Sequence, residues 1–319
     1  MQAFLQSCSA TAGTKDLKIN NSGLSIVIPT YQREKVLIDT VAYVLRLDPG
    51  PSEVLIIDQT KEHTPETLAE LIRWEKTGKL RWIRLASPSI PHSMNTGLKE
   101  AKHDIVLFLD DDILPDKNLV AAHIHAHSAN SCDIIAGQVL QPGEKSLSDN
   151  GSGVFRFCSD RQQLINDFIG CNFSVHRKSA LALGGFDENF VQVAYSFEKE
   201  FSDRALAAGG KILFEPAASI RHLKVTSGGT RSFGEHLKTV KPGHTVGAYY
   251  YLLRSKRMKF RFLKIMGRAL RSVRTRHHLL HPWWIPLTLV SEFLGLVWAV
   301  FLFLRGPRYV SFHETVLKR

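Results

Sequence analysis

Asp104-Ile-Val-Leu-Phe-Leu-Asp-Asp-Asp-Ile-Leu-Pro115 carries an apolar strand, Ile105–Leu109, straight into three carboxylates and stops at a proline. Adjacent acids repel one another. A fold that gathers Asp110, Asp111 and Asp112 at a strand end therefore needs a counter-charge. A hard divalent cation is the obvious one, because such ions take oxygen ligands and leave positions open for phosphate oxygens. The competing reading is an acidic turn in water, since Asp is also a common turn residue. Open α/β sheets hold their ligands at the carboxyl ends of strands. The stretch thus predicts an α/β fold with a metal at a strand end, holding a nucleotide diphosphate.

Upstream, Leu24-Ser-Ile-Val-Ile-Pro29 and Glu53-Val-Leu-Ile-Ile-Asp58 read as buried parallel strands. Residues 34–47 between them have helical apolar spacing. Thr64-Pro65 starts a second helix, with Thr as cap and Pro in the first turn. A strand over Arg81–Leu85 and a helix over Ser93–Lys102 complete a β/α alternation. That alternation implies a parallel, doubly wound sheet with right-handed crossovers. Downstream the pattern is mixed. A helix is expected at Lys117–Ser128, strands at Asp133–Gln141 and Gly170–His176, and a polar loop at Pro142–Gly153. A short helix at Ser179–Leu183, a helix at Glu198–Ala208 and a strand at Lys211–Phe214 follow.

Composition is that of a globular chain of 319 residues, and four scattered cysteines without a C-x-x-C pair suggest neither zinc nor disulfides. Net charge is +11, concentrated between Lys224 and Arg276, where fourteen Lys/Arg face one acid, Glu235. Such a tract suggests an anionic partner. Tyr249-Tyr-Tyr251 with Arg254, Lys256 and Arg257 could grip nucleic acid, but no nucleic-acid-binding signature accompanies it. The following segment, residues 285–304, is apolar with one charge, Glu292, and is preceded by Trp283 and Trp284. Its length suits a bilayer span, and an interfacial helix fits equally. The expected partner is therefore an anionic membrane surface on the cytoplasmic side, and not nucleic acid. His123, His125 and His127 resemble a metal cluster, but only His123 and His127 share a helix face and no third ligand is evident.

Leu24–Tyr31, Glu53–Asp58, Asn95-Thr-Gly97 and Phe108-Leu-Asp-Asp-Asp112 resemble successive signatures of family-2 glycosyltransferases with the GT-A fold. Gly170–Arg177, Gly184-Gly-Phe-Asp-Glu188 and Glu198-Lys-Glu200…Arg204…Gly209 continue the series in order. The resemblance covers roughly Leu24 to Leu223. It implies a Rossmann-like, mostly parallel sheet with flanking helices and a non-processive enzyme, since no Gln-x-x-Arg-Trp motif occurs. The implied donor is a nucleotide-diphosphate sugar, a UDP-sugar first, and the implied cofactor Mg²⁺ or Mn²⁺. With the membrane signals it implies a lipid-linked or glycan acceptor in exopolysaccharide or cell-envelope assembly. Carried over by residue, Pro29, Thr30, Tyr31, Asp58, Asn95, Asp110 and Asp111 would bind the nucleotide sugar. Asp112, Asp110 and His222 would hold the metal. Asn172, Gly185, Phe186 and Asp187 would shape the acceptor side. Glu198, with Glu200 as rival, would be the base of an inverting transfer.

The chain departs from the pattern at Gln59-Thr60, where an Asp and a Ser are common, at Met94, where an Arg often binds donor, and at Phe197, which precedes Glu198. Arg177 could compensate for Met94. These departures keep two alternatives open, a catalytically silent GT-A scaffold and a nucleotidyltransferase. The expected organisation is a disordered tail (1–22), a GT-A domain (23–223) and a basic helical region (224–284). The domain divides into a nucleotide-sugar half (23–115) and an acceptor half (116–223). A membrane helix (285–304) and a second tail (305–319) complete the chain.

Overall fold

The computed structural model describes residues 23–148, 155–234, 237–255 and 259–310. Residues 1–22, Cys8, Glu235, Lys256, Arg257 and the end of the Pro142–Gly153 loop lie outside the described residues. Nine strands form one sheet of order β3-β2-β1-β4-β8-β6-β9-β5, with β7 beside β9. Its first half is built of β1 (Leu24–Thr30), β2 (Glu53–Asp58), β3 (Arg81–Arg84) and β4 (Ile105–Leu109), all parallel. The second half is mixed. β8 (Asn172–His176) runs antiparallel to both β4 and β6 (Ile134–Leu140), while β6 runs parallel to β9 (Ile212–His222). The parallel expectation thus holds up to β4 and gives way beyond it.

Strand parity explains the continuous apolar runs. In β4, Ile105, Leu107 and Leu109 enter the core on one face of the sheet, and Val106 and Phe108 enter the core on the other. A strand covered on both faces has no polar side to show. Helices α1 (Lys35–Val44), α2 (Pro65–Lys76), α3 (Ile90–Glu100), α4 (Leu119–Ala129), α5 (Arg177–Ala182) and α6 (Phe197–Ala207) flank the sheet. Thr64 caps α2, its hydroxyl accepting from the Thr67 amide, with Pro65 at the first position.

Two short strands escape sequence reading, β5 (Ile113–Pro115) and β7 (Gln163–Ile165). β9 runs to His222, well past the expected end at Phe214. A register shift between Gly137, which pairs with Glu215, and Gln138, which pairs with Ser219, carries the pairing past Pro216-Ala-Ala218.

Nor does residue 223 separate two bodies. α7 (Val246–Arg254) buries Val246, Tyr249 and Tyr250 in the same core as β4 and β8. The three tyrosines of the basic tract are therefore internal, with Tyr250 Oη donating to Asp187 (2.7 Å) and Tyr251 Oη to Asp203 (3.1 Å). α8 (Arg261–Ser272), α9 (Arg276–Leu280) and α10 (Trp284–Arg305) follow. The tail expected from 305 is ordered as far as Val310, which is buried and pairs with Gly184. Residues 311–319 lie outside the described residues. Cys132, Cys158 and Cys171 are free and buried.

Candidate active site

Two strand ends, the acids after β4 and the loop after β9 build one cleft. Pro29, Thr30 and Tyr31 end β1, Asp110–Asp112 follow β4, His222 ends β9, and Lys224–Phe233 lies over them. The unforeseen β5 sets the central geometry. Ile113 pairs with His222 in the antiparallel β5–β9 ladder, so the preceding Asp112 lies beside the imidazole. His222 Nε2 is 3.1 Å from Asp112 and 3.7 Å from Asp110. One ligand atom from each of the three lies within 4.8 Å of the others.

Asp111 faces another way. It accepts from Thr30 Oγ1 (2.7 Å) and pairs with Arg33 Nε at 3.2 Å. Arg33 Nη2 also reaches Asp112 at 3.4 Å, and Nη1 donates to the Ser227 carbonyl. The Gly229 amide donates to the Tyr31 carbonyl (2.7 Å). Gly228 permits this closure, because a Cβ there would stand 2.1 Å from the Gln32 carbonyl oxygen. Phe233 then lies over Tyr31, ring centroids 6.4 Å apart and nearly parallel.

Electrostatics follow from packing. Burial pushes Asp111 up to about 7, against the pull of Arg33 and the Thr30 hydroxyl. Asp110 is also raised, first by loss of water and further by Asp112, with His222 opposing. Burial works against ionisation of Asp112 too. The His222 hydrogen bond and charge, the Val225 amide and Arg33 outweigh it and hold Asp112 below the usual range. His222 is raised in turn, since Asp112 and Asp110 outweigh its burial. Crowded carboxylates beside an imidazole present hard oxygen donors and one nitrogen, a set that fits a divalent cation.

A second chamber of about 500 Å³, within the range of ligand pockets, shares the wall of Asp110, His222 and Lys224 with the first. Glu198, in the first turn of α6, lines it beside Gly170, Phe168 and Tyr195. Burial pushes the Glu198 carboxyl up to about 7. The Asp110 charge adds to this, while backbone amides at Glu198 and Gly170 oppose it. The wall of this chamber carries Ala194 and Ser196 in left-handed backbone conformation (φ 53° and 74°), which Gln192 on the first chamber shares (φ 56°).

The structure brings Pro29, Thr30, Tyr31, Asp110, Asp111, Asp112, His222 and Glu198 together. It does not bring the others. Asp58 was expected at the base, but strand parity places it with Val54 and Ile56 on the α1/α2 face. There it is fully buried and accepts from His63 Nε2 (2.7 Å), Trp82 Nε1 (2.9 Å) and the Thr60 amide (2.8 Å). Asn95 is a clamp rather than a donor-sugar ligand, since its amide exchanges hydrogen bonds with the Phe186 amide and carbonyl (both 2.8 Å). Gly185 packs on Asn95, and Phe186 is wholly in the core. Asp187 accepts from Tyr250 and from the Asn189 and Arg308 amides. Asn172 bonds the Gln138 and Ala218 carbonyls and His123, all inside the sheet. The acceptor-side set is thus an internal lock, because its polar groups have partners within the fold. Glu200 holds Arg204 through both oxygens (2.8 Å each) and accepts from Tyr309, so it points away from the cleft. Arg177 caps the carbonyls of Leu98 and Lys99 and cannot stand in at Met94.

Sequence reasoning missed Arg33, Lys224 and Gln192, which line the cleft, and discounted Gln59, which also lines it and donates to the Thr30 carbonyl (3.2 Å). A cation three residues past a strand end, on the sheet that carries the acids, was the available signal for Arg33. His123 and His127 share Ser174 Oγ (2.8 Å each) inside the core, where burial pushes them down to about 4 and about 3. They form a neutral packing network.

Known proteins bear on this cleft. Residues 25–182 match the family described as Glycosyl transferase family 2. Over 118 residues the chain is 29% identical to the poly(ribitol-phosphate) beta-N-acetylglucosaminyltransferase TarP of Staphylococcus aureus, covering 36% of each protein. Over 176 residues it is 24% identical to the GalNAc(5)-diNAcBac-PP-undecaprenol beta-1,3-glucosyltransferase of Campylobacter jejuni, covering 52% of this chain and 55% of that one. The matches therefore span roughly a third to a half of these relatives. In fold, the chain is similar to the mannosyltransferase PcManGT from Pyrobaculum calidifontis, solved with GDP-Man and Mn²⁺ (TM-score 0.53, 16% identity, 89% of this chain and 79% of that chain). A GT-A sheet, acids and a histidine gathered at its strand ends, and the family match across β1 to α5 together make residues 25–182 of this chain a glycosyl transferase family 2 domain.

Proposed function

We propose that the chain transfers a sugar from a nucleotide-diphosphate sugar, a UDP-sugar first, to an acceptor hydroxyl with inversion at the anomeric carbon. One observation carries this reading: Glu198 and the Asp110–Asp112–His222 set line chambers that share one wall. The nucleotide lies in the first chamber, with its base beside Tyr31 and Phe233. The acceptor enters the second. The Glu198 carboxylate takes the proton of the acceptor hydroxyl, and that oxygen bonds to C1 as the C1–O bond to the diphosphate breaks. Lys224, at the shared wall, faces the charge that develops on the departing diphosphate. Asp112, Asp110 and His222 would hold Mg²⁺ or Mn²⁺, which as a Lewis acid would neutralise diphosphate charge. Arg33 favours the ionised form of Asp112 and, through the Ser227 carbonyl, keeps the 224–233 segment closed.

The acceptor class is a lipid-linked glycan in exopolysaccharide or cell-envelope assembly, used non-processively at the cytoplasmic face of the cell membrane. The undecaprenol-linked substrate in the Campylobacter jejuni relative's name and the apolar α10 support this. The test is release of nucleoside diphosphate from UDP-, GDP- and dTDP-sugars with membrane extract as acceptor source, with and without chelator. Metal-dependent release from one donor is expected. Nucleotide binding without release from any donor, with acceptor lipids verified in the extract, would sink the reading.

A further inference from the structure

α10 is 22 residues long and holds an 18-residue stretch with a mean hydropathy of 2.2, enough to cross a bilayer by length and composition. Its surroundings forbid that placement. One face, Thr288, Ser291, Glu292, Gly295, Ala299 and Leu302, is buried along nearly the whole helix. The Thr245 hydroxyl donates to the Ser291 carbonyl (3.1 Å), and a Cβ at Gly295 would meet Thr245 Oγ1 at 2.0 Å. Glu292, 1% exposed, pairs with Arg268 of α8 at 3.1 Å. Both ends return to the same body. α7 precedes it in the core, and just beyond it the Arg308 amide donates to Asp187 and the Val310 amide to Gly184. A spanning helix would leave its ends on opposite sides of a membrane, which a single globular domain cannot follow.

The outward face is apolar and open, with Leu289, Phe293, Val297, Phe301 and Leu304 exposed. Leu279 and Trp283 extend it at the amino end, at 83% and 62% exposure. α8 has no buried residue. Its apolar side chains Phe262, Leu263, Met266 and Leu270 are all exposed. Its other side carries Arg261, Lys264 and Arg271, followed by Arg274 and Arg276, with no acid from 261 to 276. Monomeric soluble proteins rarely leave such a surface bare. A basic amphipathic helix beside an open apolar face fits a bilayer interface that is apolar below and anionic at its headgroups.

We infer that α8, α9 and the outward face of α10 form a docking foot on anionic phospholipid, with α10 lying in the plane of the interface. This rests on the membrane location proposed above and replaces a span with a monotopic attachment. The expectation of a span or an interfacial helix over 285–304 thus resolves to the second.

The full chain would be floated with sealed phosphatidylcholine vesicles, with and without phosphatidylglycerol. Binding is expected to be at least about tenfold stronger to the anionic vesicles. Phe262→Asp with Met266→Asp, and separately Phe293→Asp with Phe301→Asp, should each cut it by about tenfold or more while circular dichroism is unchanged. In sealed membrane vesicles of one orientation, single cysteines at Arg274 and Arg305 should both react with an impermeant maleimide from the same side. Labelling of one end only until the vesicles are opened would overturn the in-plane placement. Binding that ignores lipid charge and both variant pairs would overturn the foot. A dimer in ultracentrifugation that the same variants dissolve would assign the face to a second copy instead. Donor hydrolysis, measured on the same samples, separates the two readings: docking can fail with hydrolysis intact, and transfer can fail with docking intact.

Discussion

β2 and β4 lie one strand apart in the sheet, run parallel and both end in acids, yet those acids have opposite fates. At the end of β4, Asp110 and Asp112 gather with His222 at a cleft, Asp112 also accepting from the Val225 amide and pairing with Arg33. At the end of β2, Asp58 is sealed by His63, Trp82 and the Thr60 amide. The same contrast recurs within one turn of α6, where Glu198 lines a chamber and Glu200 grips Arg204 and Tyr309. A carboxylate sealed away from any cleft supports structure. One that lines a chamber is in place to act on a ligand.

The largest expected effect breaks the open set. Asp112→Ala should lower sugar transfer by about a thousandfold or more while the chain stays folded, read by nucleoside diphosphate release and circular dichroism. A variant with near-normal turnover would erase the distinction between the two strand ends.

Within α6 the contrast can be sharpened by a matched pair. Glu198→Gln should cost about a hundredfold to ten-thousandfold in kcat with the fold intact. Glu200→Gln should instead cost about 3 kcal/mol of stability, because it leaves Arg204 without its carboxylate, and should alter kcat little. Denaturant titration beside initial rates distinguishes them, and exchanged phenotypes would make Glu200 the base.

The pH profile tests the same assignment more gently. With its carboxyl pushed up to about 7, Glu198 is mostly protonated in mild acid, and only the ionised form can accept a proton. Below about pH 7, kcat should rise close to tenfold per unit and then level off. A flat profile between pH 5 and 8 would argue against Glu198.

Asp58→Asn is the mildest probe. Burial opposes ionisation of Asp58, but His63, Thr60 and Trp82 outweigh it and lower its pKa. An acid lowered by folding adds stability above its unfolded pKa, and that stability is lost as pH falls through the folded value. The variant should lose about 1–2 kcal/mol at neutral pH, show a shallower acid-denaturation slope and bind nucleotide within about twofold of the parent.

What the chain discloses on reading follows from where the physics is local. β1, β2 and β4 are legible because both faces are covered, so the strands appear as unbroken apolar runs. β5 and β7 have three residues each, too few for any period, and β9 is hidden by Glu215-Pro216 in mid-strand. The acids of the cleft were legible as types at strand ends. Their division into open and sealed was not, because the partners that decide it, such as Trp82 for Asp58 and Tyr309 for Glu200, come from distant chain. The apolar run of α10 was plain, and the line Thr288, Glu292, Gly295, Ala299 within it already spelled a helix face too small and polar for lipid.

That face makes the foot and the catalytic body one piece of architecture. Ala299, Leu302 and Val310 complete the wall against which Tyr249 and Tyr250 pack. Gly247 of α7 in turn lies so close to the chamber rim that a Cβ there would stand 2.6 Å from the Tyr195 carbonyl oxygen. A gene shortened before Trp284 would not yield a soluble catalytic module. It would expose the tyrosine layer and loosen the rim. Solubility is better sought by recolouring the outer stripe of α10 with charge than by removing the helix.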